Sequence, residues 1–268
     1  MNSHQKSLSD RMKEYENVTN YSLYGRMPII LRIDGRAFHT LTKGMEQPYD
    51  KMFITIMDRV MEEVFDELSD AVLGYVQSDE ISIVLCPYAN YETEPIFSGR
   101  IQKICSVASS IATQSFIKTL MMYSYTHIPK TKEWVEKYIN RNITFDCRCF
   151  NLQRDEVLNY LIWRQQDCKR NSILSAAQKF IGKKDIHGLK TPELIDKMLN
   201  EKGIDYWTTI PKNVHYGRSC YRITGYGVKI DTLDFSNEKV KEVVNKMVNF
   251  DYTEKSEIND MLENIGEK

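Results

Sequence analysis

Apolar and polar positions alternate along this chain in two rhythms, one strand-like and one helical. Ile29-Ile30-Leu31-Arg32-Ile33 is a short apolar run broken only by Arg32, and it predicts a buried strand. From Asp50 to Leu68 the apolar residues fall at Met52, Phe53, Ile56, Met57, Val60, Met61, Val64, Phe65 and Leu68, the spacing of one helix face. Ala71 to Val76 and Ile81 to Leu85 predict two strands joined through Gln77-Ser78-Asp79-Glu80 in a tight hairpin. Gly99 to Met122 predicts a second helix that turns Ile101, Ile104, Cys105, Ala108, Ile111 and Ala112 inward. Ile143 to Phe150 is a further strand, and Arg154 to Ile181 a long helix. The order β-α-β-β-α-β predicts an α+β fold with a ferredoxin-like, split βαβ sheet, whose first and third strands are central neighbours.

Beyond Gly182 the rhythm weakens. Thr191 to Asn200 predicts a helix, opened by Thr-Pro-Glu with Pro at the first helical position. Val214 to Thr224 and Gly227 to Ile230 predict a hairpin, and Glu238 to Asn249 a helix. The chain therefore divides into a domain over residues 1–182, with an N-terminal extension, and an accessory C-terminal region over 183–268. Repeats and low-complexity linkers are absent.

Composition narrows the class. The 268 residues are 42% hydrophobic and 27% charged, enough for a substantial core, with no apolar run near membrane-span length. The polar start, Met1 to Glu16, lacks the apolar stretch of a signal peptide. Six cysteines show no CxxC pair and no zinc spacing, which predicts reduced thiols and a cytoplasmic protein. Net charge is −1, yet Arg164, Lys169, Arg170, Lys179, Lys183 and Lys184 face only Asp167 over their stretch. Arg100, Lys103 and Lys118 form a second basic stretch. Such faces suit a polyanion bound along one surface, and equally suit solvated helix faces.

The chemistry concentrates at two strand ends. Asp34 closes the first strand, and Asp79-Glu80 sit in the hairpin between the second and third. An ionised carboxylate cannot stay unpaired in a core. Three such groups meeting at one sheet edge would repel one another unless cations neutralise them, and magnesium prefers hard oxygen ligands. Two metal ions would then serve phosphoryl transfer, one at the attacking and one at the leaving oxygen. Asp34-Gly35 and Ser78-Asp79 are also ordinary turn residues, so the spacing leaves both readings open. Gly35 allows a close turn that aims backbone N–H groups at a phosphate, or simply closes a turn. Ser78 is a phosphate donor or a turn cap, and His39 a proton carrier or a structural residue.

Several blocks carry a resemblance. Ile33-Asp34-Gly35-Arg36-Ala37-Phe38-His39, Gln47-Pro48-Tyr49-Asp50 and Gly74-Tyr75-Val76-Gln77-Ser78-Asp79-Glu80-Ile81-Ser82 resemble signature blocks of the tRNA-His guanylyltransferase family. So do Phe145-Asp146-Cys147-Arg148 and Tyr160-Leu161-Ile162-Trp163-Arg164-Gln165-Gln166-Asp167-Cys168, in the same order. The resemblance implies a polymerase palm over residues 1–182 that adds nucleotides to tRNA 5′ ends. There the 5′ end is activated by a nucleoside triphosphate, GTP or ATP, and the 3′-hydroxyl of an incoming nucleotide attacks it. It implies Asp34, Asp79 and Glu80 as catalytic residues, with Asp34, Asp79 and the Gly35 carbonyl binding two Mg2+ ions. It implies nucleotide binding by Asp34 to His39 (through Gly35, Arg36, Ala37 and Phe38) and by Ser78 and Asp79. Arg100, Lys103, Arg148, Lys169, Arg170 and Asn171 match positions for triphosphate or tRNA. A homo-oligomer, a tetramer, is implied as well.

Two departures refine the expectation. Members that add the extra guanosine to histidine tRNA carry a His-Ile-Asn-Asn type stretch after Asp-Cys, where this chain reads Lys169-Arg170-Asn171-Ser172. The Gly of their Phe-Asp-Gly-Arg block is Cys147. The sequence thus resembles the branch that repairs truncated tRNA 5′ ends by template-directed 3′–5′ addition, with histidine-tRNA maturation as the alternative. A nucleotide cyclase would have no use for the Trp163-to-Cys168 block. A noncatalytic RNA-binding module would use the basic faces and tolerate loss of all three acids.

Overall fold

Each segment read from periodicity in the first 182 residues forms, within two residues at each end. The computed structural model describes residues 6–125, 129–223, 227–250 and 255–266. In chain order the elements are α1 (Leu8–Asn17), β1 (Ile29–Gly35), α2 (Phe38–Leu41), α3 (Lys51–Glu67), β2 (Ala71–Gln77) and β3 (Glu80–Leu85). After a 3-10 turn at Ile96–Gly99 come α4 (Ile101–Ser124), α5 (Pro129–Tyr138), β4 (Phe145–Asn151) and α6 (Glu156–Phe180). The remainder is α7 (Thr191–Lys202), α8 (Tyr206–Thr209), α9 (Lys212–His215), β5 (Arg218–Ile223), β6 (Gly227–Asp231), α10 (Glu238–Asn249) and α11 (Lys255–Gly266).

The strands form one antiparallel sheet in the order β4-β1-β3-β2-β5-β6. Its first four strands are the split βαβ sheet, with β1 and β3 central as expected. Both faces of the sheet are covered, which is why the central strands read as continuous apolar runs rather than as alternation. Ile29, Leu31, Ile33, Ile81 and Ile83 pack with Phe53, Ile56, Met57, Val60, Val64 and Phe65 of α3 and with Ile104, Ala108, Ala112 and Phe116 of α4. Ile30, Leu73, Tyr75 and Val84 on the opposite face meet Val157, Tyr160 and Leu161 of α6 and the apolar side of α10 and α11. Burial of each large side chain contributes about 1.5–3 kcal/mol. Asp50 caps α3 by accepting from the Phe53 amide, so the helix starts where the sequence predicts.

The expected hairpin forms as β5 and β6, but its first strand starts at Arg218 rather than Val214, which belongs to α9, and Thr224 lies outside the described residues. It continues the sheet: Gly74, Tyr75 and Val76 of β2 pair with Cys220, Ser219 and Arg218. Gly74 permits this approach, since a Cβ there would lie 2.4 Å from the Cys220 sulfur. The accessory region is thus joined to the palm by backbone hydrogen bonds. Six helices, α1, α2, α5, α8, α9 and α11, have no counterpart among the helices that the sequence predicts. Helix α1 buries no residue at all, so no core requirement marks it in the sequence. Among the described residues no helix is long and apolar enough to cross a membrane.

Candidate active site

Strand register assembles a row of carboxyl groups. Asp34 on β1 lies opposite Glu80 on β3 and opposite Asp146 on β4. Residues directly opposite in antiparallel strands share a face, where like charges destabilise the pairing. The next row, Arg32 with Arg148 and Ser82, supplies positive charge. Helix α6 supplies more. Arg164 is 5% exposed and grips Glu80 with two bonds, Nε to Oε1 at 2.7 Å and Nη2 to Oε2 at 3.0 Å. Arg32 reaches the same carboxylate at 2.7 Å. Arg164 also holds Asp167 at 2.8 Å.

Glu80, the third acid expected at this edge, is held there by ion pairs. Its oxygens are engaged by two guanidiniums, because α6 brings a buried arginine against the hairpin. Among the described residues no three acidic, His or Cys side chains form a metal-holding set. Among the described residues neither Asp34 nor Asp79 forms an ion pair. Burial, then repulsion from Glu80 and Asp146, lifts the Asp34 carboxyl above its ordinary range against the pull of Arg32 and Arg148. Burial chiefly pushes Asp79 up to about 6; its own amide and the Ser78 hydroxyl pull the other way, while Asp34 and Glu80 add to the rise. Two crowded carboxylates at an accessible edge suit magnesium, which usually takes one or two protein carboxylates and leaves the rest to water and substrate phosphates.

The two loops that carry these acids are tied together and held in unusual conformations. Ala37 and Ser78 both have positive φ, at 57° and 47°, in a region non-glycine residues rarely enter. The Gly35 amide donates to the Asp79 carbonyl at 3.1 Å and the Arg36 amide to the Thr144 carbonyl at 2.9 Å. The Gly35 bond is a strut between the two loops. Amides at the start of α2, from Ala37 to His39, have no partner within a helix by its geometry. Phe38 is a core residue, its ring centroid 4.9 Å from that of Phe145 and 5.7 Å from that of Phe116. A Cβ on Gly35 would meet that ring at 2.4 Å. Gly35→Ala is therefore expected to cost about 1–3 kcal/mol in a denaturant titration by displacing Phe38. An unchanged midpoint would remove this close-packing account.

A cavity of about 230 Å³ opens beside Ser78, walled by Thr42, Pro48, Tyr49, Phe53, Asn171 and Arg218 among others. Its rim is rigid. The Asp50 carboxylate accepts from the Glu46 amide at 3.1 Å and from Trp134 Nε1 at 2.9 Å, and the Ser175 hydroxyl donates to the Pro48 carbonyl at 2.9 Å. Of the expected basic residues, Arg100, Lys103 and Arg148 are exposed. Lys103 lies 4.8 Å from the Phe97 ring centre, and Arg148 is 3.4 Å from Asp146. Arg170 pairs with Asp167, Lys169 sits 4.8 Å from the Trp207 ring centre, and Asn171 reaches the cavity wall. His39 is exposed on α2. Asp146, Arg32 and Arg218 were missed as site residues. Asp146 stood within a quoted block, but only strand register reveals that it faces Asp34.

Comparison with known proteins identifies the architecture. A family model described as tRNAHis guanylyltransferase matches residues 9–153, more than half of the chain. The chain belongs to the tRNAHis guanylyltransferase family. That is a family of nucleotidyltransferases, and the sheet is its palm-like fold. A bacterial tRNA(His) guanylyltransferase-like protein in complex with ATP superposes with a TM-score of 0.80 and 36% identity, over 90% of this chain and 99% of that one. A second such bacterial structure, in complex with GTP, gives 0.70 and 32% over the same shares. A probable tRNA(His) guanylyltransferase of Dictyostelium discoideum is 32% identical over 167 residues, 60% of this chain and 59% of its relative. An uncharacterized protein of Acanthamoeba polyphaga mimivirus is 28% identical over 222 residues, 78% and 75%.

Proposed function

We propose that this family member repairs tRNA 5′ ends by template-directed 3′–5′ nucleotide addition. The observation that carries the reading is the pairing of two carboxylates outside any ion pair among the described residues, Asp34 and Asp79, with a nucleoside-sized cavity at the same sheet edge. In this reading Asp34, Asp79 and the Gly35 carbonyl hold two magnesium ions. Bound there, magnesium would neutralise phosphoryl charge and favour the deprotonated attacking hydroxyl. The 5′ phosphate first attacks the α-phosphorus of a nucleoside triphosphate and releases pyrophosphate. The 3′-hydroxyl of the incoming nucleotide then attacks the 5′ phosphorus, displacing the nucleoside monophosphate and losing its proton to water. Arg36, the amides of Ala37, Phe38 and His39, and the Ser78 hydroxyl orient the phosphates. Glu80 acts through Arg32 and Arg164, keeping those cations off Asp34. The neighbours' complexes with ATP and GTP support a nucleotide in the cavity. In this reading Arg100, Lys103, Arg148, Lys169, Arg170 and Asn171 contact tRNA and triphosphate. A cytoplasmic location and a homo-oligomer belong to the same reading. The exposed Ile117, Met121 and Met122 of α4, with Tyr125 just beyond its end, support the latter.

Addition of a 5′ guanosine to histidine tRNA is the second reading, favoured by the names of the curated relatives. Against it stands Lys169-Arg170-Asn171-Ser172, whose first two side chains are held by Trp207 and Asp167. The deciding assay offers truncated tRNAs with C, A, G or U as the template base, beside intact histidine tRNA, with labelled triphosphates and magnesium. Repair predicts that the added nucleotide follows the template base in several tRNAs, because pairing selects while the protein positions. Guanosine added only to histidine tRNA, opposite a non-pairing base, would establish maturation instead. Tolerance of Ala at Asp34, Asp79 and Glu80 together, with RNA binding retained, would make the protein a noncatalytic binder.

A further inference from the structure

The C-terminal region sends one buried charge into the cavity beside Ser78. Arg218 opens β5 and pairs with Val76, one residue before the hairpin that carries Ser78 and Asp79. It lines the cavity, and its side chain is only 6% exposed. Its Nε donates to Asp58 Oδ1 at 2.6 Å, its one hydrogen bond among the described residues. Nη2 is buried with no acceptor. A guanidinium has five N–H donors, and buried donors left unpaired are rare enough to need an explanation. Asp58, on α3, fixes one edge of the guanidinium and so sets the direction of the other.

We infer that Arg218 reads the base of the activating triphosphate, which no template base pairs, when it lies in this cavity, donating from its Nη groups to the O6 and N7 acceptors of guanine. The inference rests on the reading of the cavity as a nucleoside site. Guanine presents those two acceptors side by side, whereas adenine presents N7 beside an amino donor. A donor facing a donor leaves both unpaired, so the residue selects guanosine over adenosine triphosphate. Position favours a base over a phosphate as the partner. In the strand order β1-β3-β2-β5, Arg218 stands three strand spacings from Asp34, about 14 Å. That separation is the reach of a nucleotide whose base lies at Arg218 and whose phosphates lie at Asp34. The family match ends at residue 153, so this contact belongs to the part of the chain outside it.

The test measures equilibrium binding of GTP, ATP, 7-deaza-GTP (no N7) and 2-aminopurine riboside triphosphate (no O6). Three variants join the parent protein: Arg218→Lys, Arg218→Met with Asp58→Asn, and Ser175→Trp, which fills the cavity. The parent should bind GTP about tenfold or more tighter than ATP and either analogue. The double variant should lose about tenfold for GTP and lose less for either analogue, each of which keeps only one of the two acceptors. Arg218→Lys keeps a charge for Asp58, and should compress the same GTP preference if the double variant fails to fold. Equal losses for all four nucleotides, or none, overturn the assignment of Arg218. If Ser175→Trp leaves GTP binding intact, the cavity reading itself fails and the base contact falls with it. If Ser175→Trp abolishes binding while discrimination ignores Arg218, only the Arg218 assignment falls.

Discussion

Asp79→Asn is expected to lower nucleotidyl transfer at least about a thousandfold while the protein still unfolds cooperatively, and Asp34→Asn to do the same. The amide keeps the size of the side chain and removes the charge that would hold magnesium, and metal charge stabilisation commonly supplies several kcal/mol of a barrier. Each 1.36 kcal/mol is a decade in rate, so a thousandfold loss asks for about 4 kcal/mol. The fold should survive because neither carboxylate has an ion pair to lose among the described residues. Stability should in fact rise. The Asp79 carboxyl is pushed up to about 6 in the folded protein, against about 3.9 in an unfolded chain. Between those values the folded state binds more protons, so metal-free stability rises as pH falls from neutral through 6 towards 4. Above 6 that stability is absent. Asp79→Asn should therefore melt higher than the parent at pH 7.5 without magnesium and lose this part of the pH dependence. Magnesium should stabilise the parent and leave the variant nearly unmoved. A 5′-extension assay at saturating magnesium, run beside melts at pH 5, 6 and 7.5, checks both halves. Near-parental turnover by either variant would remove the two-metal assignment.

The palm was legible because its burial is periodic. Every residue of α3 that the sequence turns inward between Phe53 and Phe65 is buried, and Asp50 marks the start by capping. The central strands read as apolar runs because helices cover both sheet faces, and the order of elements then fixes β1 beside β3. Asp34 and Asp79 were legible for the same reason, as polar residues ending apolar runs. What escaped were facts of long sequence separation. Arg164 lies 84 residues from Glu80, and no local pattern says that a guanidinium on α6 occupies that carboxylate. Asp146 faces Asp34 only through strand register, and Arg218 enters the cavity only because β5 docks on β2. Local pattern also misses elements that bury little, as α1 shows.

The second large effect lies in that same long-range pair. Glu80→Ala is expected to cost about 3–5 kcal/mol, because it leaves Arg164 buried with only Asp167 and releases Arg32. Arg164→Ala should cost about as much by leaving Glu80 buried against Arg32 alone. In a chain of this size either loss lowers the melting temperature by roughly 10 °C. Replacing both partners by apolar or neutral groups of similar shape, Glu80→Gln with Arg164→Met, should recover much of the loss, since an uncompensated buried charge is the main penalty. A double-mutant cycle should then report a coupling of at least about 2 kcal/mol. Function separates the two partners further. With Glu80 neutral, Arg32 stands beside Asp34 on the same strand face with no carboxylate holding it, and it competes with magnesium for Asp34. Glu80→Gln should therefore raise the magnesium concentration needed for half-maximal rate, and Arg32→Gln in the same chain should bring it back. If Glu80→Gln lowers the maximal rate at saturating magnesium and Arg32→Gln does not restore it, Glu80 serves the reacting atoms directly, and its place beside the arginines is secondary.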